Sequence, residues 1–175
     1  MAYICKTASR EELVRRWEYL IRVNAGDRRW VRFREDALRH FDEKSTISYL
    51  GILDGEIICE ATAVLKESAL LGDISDPSGL LNESMCYLAA FRTNREREGK
   101  GYFRRLYDYL ENDLREQGYT ELSLGVGPES VRNMEIYFHL GFREYIKTVI
   151  QYEPSGKDPS VLEEDVILFY KKKIG

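Results

Sequence analysis

The sequence predicts a mixed α/β (α+β) fold for its 175 residues, and three observations carry the prediction. Ile47 to Leu53 and Glu56 to Leu65 are apolar runs flanking Asp54-Gly55, a strong hairpin signal. Apolar residues recur at helical spacing at Leu13, Trp17, Leu20 and Ile21, and again at Phe103, Leu106, Leu110 and Leu114. Between residues 85 and 150 the chain reads strand, loop, helix, strand, helix, strand, with a glycine turn opening the first of those helices.

Each element has a local cause. Tyr3-Ile4-Cys5 reads as a short first strand. Ser9-Arg10-Glu11-Glu12 is a capping box, in which Ser9 caps and Glu12 reaches back, and the helix it starts ends near Asn24-Ala25-Gly26. Asp27 caps a second helix bearing Trp30, Phe33, Ala37, Leu38 and Phe41. After the hairpin, Glu67 to Asn82 is a long connection with Gly72, Pro77 and Gly79, expected to be mobile. Met85 to Phe91 is apolar enough for a buried strand, followed by the polar loop Arg92 to Glu98 and a helix that Gly118 stops. Glu121 to Val126 is the next strand, and a short helix with Met134, Tyr137 and Phe138 closes at Gly141-Phe142. Tyr145 to Glu153 and Asp165 to Lys173 form the last two strands, around a loop with Pro154, Gly156 and Pro159.

Length and composition fit a single domain spanning 1-175, with 43% hydrophobic residues to fill a core. The balance of 26 basic against 30 acidic residues leaves −4, and nothing in it suggests nucleic acid or an anionic membrane as a partner. No apolar run has membrane-spanning length, and the first residues lack a signal-peptide pattern. Cys5, Cys59 and Cys86 lie far apart in apolar surroundings, which reads as buried reduced thiols in a cytoplasmic protein. His40 and His139 are isolated, so no metal-ligand spacing is present.

The chemistry is concentrated in Glu98-Gly99-Lys100-Gly101-Tyr102-Phe103. A glycine turn at a helix start presents unpaired backbone N–H groups and the positive end of the helix dipole, an arrangement that takes phosphate. Glycine lets the backbone come close to the oxygens, where a Cβ would obstruct it. Arg97, Lys100, Arg104 and Arg105 add positive charge nearby, although basic residues at a helix start are often simply solvated.

This turn in the first crossover, with Tyr137-x-x-x-Gly141-Phe142 ending the second, resembles the GNAT family of N-acetyltransferases. The resemblance implies a central mixed, mostly antiparallel sheet with helices on both faces, and acetyl-CoA as cosubstrate. The pyrophosphate would lie on the loop from Glu98 to Phe103 and the pantetheine in a gap between the fourth and fifth strands. Starting the loop at Glu98 puts Leu106 five residues after Gly101, as the family pattern expects; starting at Glu96 fits the glycines but puts Arg104 where a buried leucine belongs. Both placements put a glutamate where the family has glutamine or arginine, and Phe103 replaces a small residue.

By the same resemblance Tyr137 donates a proton to the CoA sulfur, in competition with a plain core-aromatic role. A backbone N–H near Ala90 to Thr93 (thus Phe91, Arg92 and Thr93) polarises the thioester carbonyl. Ser130 stands where relatives often carry an asparagine on the pantetheine, and Asn133, one turn on, can substitute. Tyr87 stands where many relatives carry a glutamate base; a neutral tyrosine can orient a water but is a poor base. That leaves Glu83, at the start of the fourth strand, and Glu60, an acid inside the apolar run Ile57 to Ala61. The competing reading of Glu60 is a solvent-facing position on an alternating strand. His139 reads as exposed.

Substrate specificity in this fold comes from the first two helices, the long connection and the final hairpin. Here they supply Trp17, Trp30, Arg34, Asp36 and His40, then Glu163, Glu164 and Asp165. The acids can attract a cationic amine, while the tryptophans fit apolar stripes of their helices. The expected acceptor is the primary amine of a small molecule, and homodimers are common in such domains. The alternative is a non-catalytic acetyl-CoA-binding or sensory module of the same fold.

Overall fold

The computed structural model describes all 175 residues. In chain order it contains β1 (Tyr3–Thr7), α1 (Arg10–Val23), α2 (Arg29–Asp42), β2 (Thr46–Leu53), β3 (Glu56–Val64), β4 (Met85–Thr93), α3 (Tyr102–Glu116), β5 (Glu121–Val126), α4 (Val131–His139), β6 (Glu144–Pro154) and β7 (Leu162–Lys173). The seven strands form one sheet in the order β1-β2-β3-β4-β5-β7-β6. Only the β4–β5 pair is parallel, as its helical crossover requires.

The local signals act as their chemistry dictates. The Glu12 amide donates to Ser9 Oγ at 3.2 Å and the Ser9 amide to Glu12 Oε2 at 2.8 Å, closing the capping box. Asp54 (φ 49°) and Gly55 (φ 86°) both adopt the left-handed conformation of a tight hairpin between β2 and β3. Asp27 sits one residue ahead of the formal cap of α2 but does the capping, its Oδ1 accepting the Arg29 N–H at 3.0 Å.

Helix α3 buries Leu106, Tyr107, Leu110 and Leu114 against Leu88, Leu122, Leu124 and Phe142. Complete burial of each such aliphatic side chain contributes about 1.5–3 kcal/mol. A smaller cluster joins Val64, Leu70, Ile74, Leu80, Tyr87 and Phe169, and a third packs Leu13, Trp17 and Leu20 of α1 against Trp30, Phe33 and Phe41 of α2. The connection from Glu67 to Asn82 departs from the expectation of a mobile loop. Leu70, Ile74, Pro77 and Leu80 are all buried, and Ser123 donates to the Leu80 carbonyl. Apolar side chains spaced along the segment fasten it to the sheet.

Two irregularities of β4 shape the spaces on either side of it. Thr62 pairs with Ala89 and Glu60 with Arg92, so β4 carries an extra residue, and Ala90 takes φ 57° to accommodate it. On its other side β4 pairs with β5 only from Met85 to Leu88, and beyond Leu124 the two strands part into an open fork.

Candidate active site

The bulge reverses the alternation of β4. Before it, the odd-numbered Tyr87 and Ala89 face a cavity of about 370 Å³ under α1 and α2. After it, the even-numbered Arg92 faces that cavity, and Phe91 and Thr93 turn to a second cleft of about 340 Å³ beside α3 and α4. One strand is thus the common wall of two chambers.

The second cleft gathers Phe91, Thr93, Glu98, Gly99, Gly101, Tyr102, Phe103, Arg104, Asn133 and Tyr137. Gly99 (φ 72°) and Gly101 (φ 81°) are both left-handed, and an ideal Cβ on either would meet nothing within 4 Å. None of the amides from Gly99 to Arg104 donates to a backbone carbonyl, and no side chain caps α3. Six consecutive free N–H groups at a helix start, with open space in front of them, fit a diphosphate. Arg97 and Arg132 also line the cleft, and Arg132 approaches Glu98 to 3.9 Å, which sets a positive charge against the unexpected acid. Nothing in the sequence singles out Arg132, an exposed residue on the first turn of α4. Lys100 is exposed on the loop and does not line the cleft.

The Arg92 side chain leaves the cleft, whatever its backbone N–H does there. It lies over Trp17 (5.4 Å) and Trp30 (5.0 Å) and pairs with Glu60. With its alternation unbroken β4 would have sent Arg92 to the α3 side; the bulge at Ala90 sends it to the other. Trp17 is both buried core and cavity wall.

Glu60 is 7% exposed, so the solvent-facing reading fails. Its two carboxylate oxygens bind Arg16 and Arg92, and Arg16 also donates to Asn94 Oδ1 at 2.7 Å. A carboxylate engaged on both oxygens by guanidinium groups is a structural ion cluster and a poor proton acceptor. Glu83 is exposed in the turn before β4, at the end of the strand away from the fork, and lines neither chamber. His139 is exposed, its Nδ1 3.0 Å from the Glu135 carbonyl oxygen.

Tyr137, half-buried on α4, packs its ring against Phe91 in the cleft. Burial pushes its phenol up to about 12, so the hydroxyl keeps its proton at neutral pH. On the other side of β4, Tyr87 lines the larger cavity, and burial likewise raises its phenol, with Tyr137 and Asp73 adding smaller effects. The cavity also collects Arg32, Asp36, His40, Asp73 and Glu153, of which only Asp36 and His40 stand out in the sequence. Asp73 is exposed as a residue, yet it lines the cavity, where desolvation and Asp36 raise its carboxyl while Arg32 and His40 oppose the shift.

The model of the acetyltransferase (GNAT) family matches residues 11–142. No curated protein matches the chain in sequence. In fold it is similar to a ribosomal-protein-alanine N-acetyltransferase from Brucella melitensis, at TM-score 0.66 and 15% identity over 97% of this chain and 99% of that one. It is similar to an aminoglycoside 6′-acetyltransferase type Ii at TM-score 0.68 and 14% identity, covering 98% and 97% of the two chains. A neighbour from Salmonella typhimurium, solved with its cofactor acetyl-CoA, gives TM-score 0.65 and 12% identity over 100% and 95%. Its family uses acetyl-CoA, and the sheet, the four helices and the match over residues 11–142 agree: this chain belongs to the GNAT family of acetyltransferases.

Proposed function

We propose that residues 1–175 act as a single N-acetyltransferase domain that moves an acetyl group from acetyl-CoA to the primary amine of a small molecule by direct transfer. The observation that carries this reading is the pair of chambers divided by β4, one with free amides for a diphosphate and one enclosed enough for a small acceptor. Acetyl-CoA supplies the activated acyl group. The amides from Gly99 to Arg104 bind its diphosphate, with Arg97 and Arg132 balancing charge and Asn133 available to the pantetheine. Phe91 and Thr93 contribute the backbone wall of the fork, and their amides can polarise a carbonyl seated there. The Tyr137 hydroxyl holds the proton that a departing sulfur needs. Neither Glu60 nor Glu83 serves as base in this scheme, so the amine enters as its uncharged form. The proton that its nitrogen sheds on forming the amide passes through water and restores the Tyr137 phenol once that has protonated the sulfur. The three free cysteines, none paired, suit a reducing cytoplasmic compartment.

One observation favours a second reading, a non-catalytic acetyl-CoA binder: the carboxylate nearest the fork is tied up by two arginines. Calorimetric titration with acetyl-CoA, beside thiol release in the presence of amines, separates the two. Saturable binding that Gly101→Glu abolishes, with amine-dependent thiol release, supports the enzyme; binding without release in any amine supports the binder. Absence of binding at millimolar acetyl-CoA overturns both.

A further inference from the structure

The larger cavity has two polar ends. We propose that the acceptor carries a second cationic group, its reacting amine seated at Tyr87 and its second ammonium held by Asp73 and Glu153; this rests on the larger cavity being the acceptor chamber.

The inner end is Tyr87. It is 8% exposed and lines the cavity, and the neighbour of its hydroxyl is the Gly125 backbone N–H. The Gly125 N–H takes one acceptor position of the hydroxyl, and the other is open to an incoming N–H group. It stands at the fork: a Cβ on Gly125 would lie 3.0 Å from it, and Tyr137 acts on it electrostatically from the other chamber.

The outer end is organised by Gln151, which is buried. Its Oε1 accepts the Ser75 N–H at 2.8 Å, and its single amide nitrogen is shared by the Asp73 carbonyl (2.7 Å), Glu153 Oε1 (3.0 Å) and Asp165 Oδ2 (3.3 Å). This clasp fastens residues 73–75 to β6 and brings Asp73 and Glu153 to one wall. Desolvation raises the carboxyls of both, with acidic neighbours adding to the effect, Asp36 on Asp73 and Asp165 on Glu153.

The other charges of the cavity are answered for. Glu60 and Arg92 neutralise one another, and Asp36 pairs with Arg39 at 2.8 Å. Arg32 is exposed, lies 5.6 Å from the Phe33 ring centroid and is solvated at the rim, with half-buried His40 beside the same group. No basic side chain lies within ion-pair distance of Asp73 or Glu153. Arg32 and His40 act on Asp73 only from farther off, and Arg29, which acts on Glu153, is itself paired with Asp27 at 2.7 Å, so the outer end favours a cation. Apolar side chains such as Leu50, Val64 and Ala89 line the space and suit a methylene chain.

The test uses the full chain with acetyl-CoA and three probes that share a reacting amine: 1,4-diaminobutane, n-butylamine and 4-aminobutanoate. Both kcat/KM and calorimetric binding without acetyl-CoA are measured. The expected result is roughly a ten-fold or greater preference for 1,4-diaminobutane over n-butylamine, with 4-aminobutanoate weakest. Asp73→Asn combined with Glu153→Gln should bring the diamine-to-monoamine ratio close to unity. Equal use of all three, or preference for 4-aminobutanoate, overturns the inference while leaving the transferase reading intact. Preferential diamine binding without turnover upholds the inference and sinks the transferase reading instead. No binding preference at all overturns it, and should the double variant not fold, the wild-type series decides alone.

Discussion

The rings of Phe91 and Tyr137 meet with centroids 5.7 Å apart and planes inclined at 47°. Phe91 also meets Phe103 edge-on at 5.3 Å, so an aromatic chain runs from β4 to the start of α3 and holds Tyr137 against the fork. Its phenol, pushed up to about 12 by burial, stays protonated throughout the neutral range. Tyr137→Phe should therefore lower kcat by roughly 10²–10⁴-fold with little change in acetyl-CoA affinity. A kcat within a few-fold of wild type would remove Tyr137 from the chemistry. In the wild type, any limb of the pH–rate profile below about pH 10 belongs to another group.

Glu60→Gln should act on stability and not on proton transfer. Arg16 has 1% of its side chain exposed and Glu60 9%, so losing the carboxylate strands a buried guanidinium. Breaking such a pair costs about 3–5 kcal/mol. A lower melting temperature with an unshifted pH–rate midpoint is expected; a shifted midpoint at unchanged stability would restore Glu60 as a base.

Gly125→Ala should narrow the fork. The new Cβ would stand 2.7 Å from Ile167 Cγ2, 2.8 Å from Phe169 Cε1 and 3.0 Å from the Tyr87 hydroxyl. Overpacking of this kind costs about 1–3 kcal/mol. Displacement of Tyr87 should raise the acceptor KM more than it raises the Kd for acetyl-CoA, as steady-state kinetics and calorimetry would read.

Alkaline pH should destabilise the fold early. Burial raises Cys59 to about 11 and Cys86 to about 12 from an ordinary value of 9.0. Above pH 9 the unfolded chain gives up thiol protons that the folded chain keeps, so stability falls as pH rises towards those higher values. Each thiol contributes a slope of up to about 1.4 kcal/mol per pH unit. Melting temperatures from pH 8 to 11 should decline from about pH 9, and Cys86→Ala should make the decline shallower.

What is legible in the sequence is what lies close along the chain. The Ser9–Glu12 box, the Asp54-Gly55 hairpin and the glycine turn before α3 are set by residues within a few positions of one another. The element order comes from them, and with it the family. The positions that escape depend on long-range pairing. Glu60 meets Arg16 and Arg92 across 44 and 32 residues, and no periodicity signals such partners. The face on which the Arg92 side chain falls cannot be counted off by alternation, which presumes an unbroken register, and Ala90 breaks it at a residue with no glycine to announce the positive φ. Asp73 reaches the cavity through Gln151, a contact 78 residues away.

The extra residue at Ala90 also has an evolutionary side. It makes neighbouring positions on one backbone answer to different spaces: changes at Tyr87, Ala89 or Arg92 reshape the larger chamber, and changes at Phe91 or Thr93 the other. Under the function proposed above, acceptor preference would then drift, one substitution at a time, without disturbing the donor. A chain built this way is free to find new targets while the group it hands over stays the same.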